Sequence, residues 1–122
     1  MTNTASYLDY VFRGSMAAFF TIAGAMKLTA HPFEVQSFED FGYAPWFMSA
    51  IGALEFLGGF ALLRTQWVLP TLMLLGTIII GAIGSHLHAE DAAAHMVPAF
   101  VVLLILTGIG LIHRPLRATQ AA

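Results

Sequence analysis

The stretch 46–63, WFMSAIGALEFLGGFALL, decides how this chain folds. It holds one carboxylate, Glu55, with no base and no proline, and its other positions are apolar or small. Its length is close to the roughly 20 residues an α-helix needs to cross a bilayer. An ionisable group at bilayer depth is costly and by default marks a functional site. Gly52, Glu55 and Gly59 recur at three and four residues, so the carboxylate lies on the small, packing side of its helix.

Three further segments outward from this one share its character: about Tyr7 to Leu28, about Trp67 to Leu87 and about His95 to Ile112. The pattern predicts an all-α protein, an antiparallel bundle of four transmembrane helices in a single membrane domain, 1–122. Composition agrees. Apolar residues make up 58% and charged residues 10%, where a soluble domain carries roughly 25% charge. Mean hydropathy is +0.78. The formal net charge of −2 lacks the basic footprint of a nucleic-acid binder. The chain has no cysteine, so disulfides, thiolate chemistry and a cysteine-ligated metal are excluded. The N-terminal stretch MTNTASYLDYVFRG lacks the basic region and cleavage site of a signal peptide, and the first apolar segment is expected to remain as a span.

In the first segment Gly14, Ala17, Thr21 and Gly24 form a small face. An overlapping stripe carries both bases of the segment, Arg13 and Lys27. The connection 29–45, TAHPFEVQSFEDFGYAP, is the longest, and Phe33 to Phe41 suits a short interfacial helix between Pro32 and Pro45. In the third segment Thr77, Gly81 and Gly84 or Ser85 make another small face, and Gly108 with Gly110 in the fourth suit a homodimer interface. Arg13, Arg64, Arg114 and Arg117 fall at one end, and Lys27 is alone among the acids of the other. This bias predicts cytoplasmic termini and a multi-pass protein of the cytoplasmic (inner) membrane.

Three constellations are candidate sites. The first is Arg13, Lys27 and Glu55. Counting helical rise from the span ends leaves Arg13 about 5–10 Å from Glu55 along the bundle axis, within reach of its stem. Lys27 must reach downward to meet the carboxylate. Either base would fix helix register or hold a polar ligand with Glu55. The second is His31, His86, His88, Glu90, Asp91 and His95 at the outer face, where His86, His88, Glu90 and His95 are candidate metal ligands. Ordinary interfacial polarity and a pH-responsive rim are the alternatives. The third is the aromatic group Phe33, Phe38, Phe41, Tyr43, Trp46 and Phe47, which suits either an interfacial belt or the floor of a pocket for a quinone, sterol or other lipid.

These elements, in this order, resemble the DoxX-like superfamily of small four-helix membrane proteins. The likeness rests on Arg13 before FFTIAGAMKL, FGYAP at 41–45, ALEFLGGFALL around Glu55, GAIGSHLHAED, and the closing VPAFVVLLIL. The resemblance implies a four-helix membrane bundle whose characteristic positions match Arg13, Gly24, Lys27, Glu55, Gly59 and His86. Some relatives are linked to quinone-coupled sulfur oxidation, and others to oxidative-stress complexes or receptor assembly. Fold carries over from such a likeness, whereas function must be argued from the site.

The leading expectation is a ligand-binding or accessory subunit, serving a redox partner and in contact with membrane lipid. Its outward-facing pocket would use Arg13, Lys27, Trp46, Glu55 and His86, with a quinone or lipid as the bound molecule. The second is a membrane enzyme with Glu55 as acid or base and His86 as proton shuttle. The third is a structural or assembly protein whose charges only hold the bundle.

Overall fold

The computed structural model describes residues 3–89 and 93–121. All regular structure in these residues is helical: α1 (Asn3–Leu28), α2 (Pro32–Phe41), α3 (Pro45–Ala61), α4 (Val68–His88) and α5 (Ala93–Ala121), with a 3₁₀ turn, Thr65–Trp67, leading into α4. Among the described residues, two apolar stretches are long enough to cross a membrane, Thr65–His88 and His95–His113. A third is reached if α2 and α3, bent by 120°, count as one broken span. Although α1 has the length, Asp9, Arg13 and Lys27 dilute its hydropathy.

Glycine sets the closest helix pair. A Cβ on Gly24 of α1 would lie 2.5 Å from the Gly52 carbonyl oxygen and the Phe56 nitrogen of α3. One on Gly59 would meet the Thr21 side chain and lie 2.8 Å from the Ala17 carbonyl oxygen. The two backbones therefore touch where side chains are missing, which is how small residues drive packing without a hydrophobic force. Gly24 faces Gly52, and Ala17 faces Gly59, so α1 and α3 run antiparallel. Gly14, counted with the small face, has open space around it.

The core is built from α1, the end of α3, α4 and α5, around Phe20, Leu62, Val68, Leu75 and Ile109. Gly108 and Gly110 are half-buried within the chain. They look onto Phe12 and Leu72 of the same chain, at 3.7 and 3.6 Å from an added Cβ. Outward positions are apolar: Met73 is 75% exposed and Leu104 72%, a surface suited to lipid tails rather than water. Exposed Tyr7, Tyr10 and Trp67 lie at one end of the bundle, and exposed Trp46 and Phe33 at the other, the two positions of membrane-interface aromatics.

The connection 29–45 is more ordered than its weak periodicity predicts. Pro32 opens α2 at a position where a missing N–H costs little. His31 caps it, its Nδ1 accepting from the Phe33 N–H at 3.2 Å. Gly42 closes it in the left-handed region at φ 84°, where glycine carries no Cβ penalty. The last helix also outruns its apolar segment, continuing past Ile112 to Ala121.

Candidate functional site

A cleft of about 1010 Å³ opens among all five helices in the half of the bundle where α2 lies. Its lining is mostly apolar, from Phe19, Ile22 and Met26 of α1 to Ile78 of α4 and Val102 of α5. The small face of α4 contributes in an unexpected way. Gly81, Ala82 and Ser85 do not seat a neighbouring helix; they line the cleft, and an added Cβ on Gly81 would meet nothing within 4 Å. Missing side chains on this face leave volume rather than contact.

Lys27, Glu34 and Glu55 line the same cleft. Glu55 is 3% exposed, and its Oε1 lies 2.8 Å from the Lys27 Nζ. This buried oxygen is charge-paired with the ammonium. Glu34, in the first turn of α2, pairs with the same ammonium at 3.4 Å. Two buried carboxylates thus share one lysine. Lys27 does reach downward, because Gly52 leaves room for its stem: a Cβ there would lie 2.7 Å from the Lys27 Cβ.

Arg13 is placed elsewhere. Its Nε donates to the Leu62 carbonyl oxygen at 2.8 Å, at the unsatisfied C-terminal end of α3. Its Nη1 donates to Asp9 Oδ2 at 3.1 Å, and Asp9 Oδ1 lies 2.7 Å from His113 Nε2 of α5. All three side chains are buried. The register fixed by the glycines sets Arg13 level with Leu62, seven residues from Glu55 and about 10 Å along the helix. Asp9 and His113 escaped the sequence reading. The spacing of Asp9 four residues before Arg13 was the available signal; the pairing with His113, 104 residues away, had none.

The aromatic group divides. Phe33, Phe38, Phe41, Tyr43 and Phe47 line the cleft. Trp46 is 72% exposed and turned outward, its ring 5.8 Å from that of Phe47. The Ser85 hydroxyl donates to the Gly81 carbonyl oxygen at 2.9 Å, so the Tyr43 hydroxyl is the donor in its 2.6 Å contact with Ser85 Oγ. This bond ties the end of α2 to α4. His86 lines the cleft with its ring 5.0 Å from Phe41, edge to face.

His95 also lines the cleft, whereas His88 is exposed and not part of its lining. Glu90 and Asp91 lie outside the described residues. Among the described residues no group of three or more His, Asp or Glu side chains stands close enough to hold a metal ion. His86, His88 and His95 do not by themselves form such a group, and Glu90, the fourth expected ligand, lies outside the described residues. Glu55 and His86 both line the cleft, and Glu55 is engaged by Lys27.

The buried Lys27–Glu55 pair, the FGYAP corner and the α1–α3 glycine contact now stand in one geometry, and the family model of the DoxX-like family matches residues 11–109. The chain belongs to the DoxX-like family. A curated relative, "Uncharacterized protein YdgD" of Bacillus subtilis (strain 168), is 24% identical over 103 residues, covering 80% of this chain and 90% of that protein. No solved structure matches. Family membership and the apolar helices make this a membrane protein in contact with lipid.

Proposed function

We propose that this DoxX-like protein is a ligand-binding or accessory subunit of the cytoplasmic membrane that holds a small hydrophobic molecule in the cleft. The observation that carries the proposal is the cleft itself, about 1010 Å³ with mostly apolar walls and a buried ion pair at its edge. Ligand sites have this size and character: apolar lining with a few convergent polar groups. A quinone or lipid suits the lining. The family's quinone-linked relatives support service to a redox partner, and without cysteine the electrons would have to be carried by a cofactor or that partner.

In this proposal α1, α3, α4 and α5 are the four spans, and α2 lies across the outer end. Pairing supports α1 as a span despite its charges: Asp9 and Arg13 neutralise each other, and Lys27 is held by Glu55 and Glu34. The arginine bias supports cytoplasmic termini.

Native mass spectrometry after gentle detergent extraction tests the ligand role. Wild-type protein is expected to retain a small hydrophobic molecule, and Glu55→Gln to lose it while remaining folded. If neither carries a molecule and the variant is merely less stable, the charges only hold the bundle together.

A further inference from the structure

The charges of the cleft are unbalanced, and the imbalance names a ligand class. Among the described residues, one ammonium, Lys27, lines the cleft with three carboxylates, Glu34, Asp40 and Glu55, and with His86 and His95. Asp40 is exposed and accepts from Gln36 Nε2 at 2.9 Å, so water and a local partner satisfy it. Glu34 and Glu55 are different: both are buried, and both depend on the same lysine. A buried charge without a partner costs several kcal/mol, and one lysine compensates only one of these carboxylates. Lys27 and the two buried carboxylates therefore leave a deficit of one positive charge. An anionic ligand would worsen the deficit, and a neutral one would leave it to a proton.

The walls suit a cation as well. Phe38, Phe41 and Phe47 lie on the lining, their rings clustered about Phe38 with centroids 6.3 and 6.4 Å from it. Aromatic faces attract organic cations most strongly where water is excluded. We propose that the cleft selects hydrophobic organic cations, with Glu34 and Glu55 holding the ligand's positive charge and the phenylalanines its apolar groups. This rests on the cleft being a ligand site, and it narrows the ligand to a lipophilic amine or quaternary ammonium-like molecule.

Equilibrium binding to the purified full-length protein in lipid nanodiscs tests this with matched probes. These are tetraphenylphosphonium, its anionic isostere tetraphenylborate, and the neutral donor 4-phenylphenol. The cation is expected to bind at least tenfold more tightly than either of the others. Glu55→Gln and Glu34→Gln should each weaken it about tenfold or more, and either variant suffices if the other fails to fold. Glu39→Gln, an exposed change outside the cleft lining, should leave binding unchanged and so corrects for partition into lipid. If the phenol binds as tightly as the cation, or both carboxylate variants bind the cation like wild type, the cation preference is overturned and the cleft still stands as a ligand site. If no probe binds above the partition background, the ligand-site reading falls with it.

Discussion

Each end of this bundle buries a set of charges, and the two sets are built to different rules. At one end Asp9, Arg13 and His113 join three side chains from two helices, and Arg13 adds the carbonyl of Leu62 from a third. Acid and base are matched there, and Arg13 donates along good hydrogen-bond directions. At the other end, fourteen residues along α1 and about 21 Å away by helical rise, Lys27 is divided between Glu34 and Glu55 beside an open cleft. The first set is what a bundle needs to tolerate charge in lipid. The second has more acid than its own lysine answers, next to space that a molecule can enter. Buried charge alone does not mark a site; on the proposed reading, charge balance together with adjacent volume separates a structural clamp from a binding group.

The largest effect should come from breaking the closed set. Arg13→Met leaves Asp9 without its guanidinium partner and the end of α3 without its donor. Removing one partner of a buried pair costs about 3–5 kcal/mol, so thermal unfolding in detergent should drop sharply or folded protein should not be recovered. A variant as stable as wild type would remove the distinction between the two ends. Next is Gly24→Ala, which forces a methyl into a gap of 2.5 Å against the backbone of α3. Overpacking of this kind costs about 1–3 kcal/mol, and it should lower the unfolding temperature even where bound ligand is present. The smallest stability effect is expected from Glu55→Gln, within about 1 kcal/mol, because Lys27 keeps Glu34 and a neutral side chain relieves the excess of acid. Ligand retention, not stability, should report this change. Should Glu55→Gln destabilise as much as Arg13→Met, both ends are structural.

Much of the scaffold could be read from residue types alone. Glu55 stood out because nothing else in 46–63 needed a charge, and Gly52, Glu55 and Gly59 already shared a helix face. The choice of partner was less legible. Counting rise from the ends of two spans fixes depth only to within a turn or two, whereas Gly24 seated against Gly52 fixes it to a residue. That register hands Glu55 to Lys27 and leaves Arg13 to Leu62. The Asp9–His113 contact was invisible for another reason: it joins α1 to α5, and no local pattern encodes which turn of one meets which turn of the other. On α4 the small residues misled, since Gly81 and Ser85 have the composition of a packing face and lie along the cleft instead. Composition reports that bulk is absent, but not whether a helix or a cavity takes its place.

Gly52 carries a consequence of its own. It touches Lys27 from behind, at the root of the side chain, and is absent from the residues that line the cleft. A single methyl group at this point would meet the Lys27 Cβ at 2.7 Å and the Gly24 carbonyl oxygen at 3.0 Å, so the α1 backbone that carries Lys27 must shift. The electrostatics of the site are thus set from the rear, by the thickness of a helix contact. If the cleft holds a ligand as proposed, its preference can be retuned without altering any residue the ligand touches.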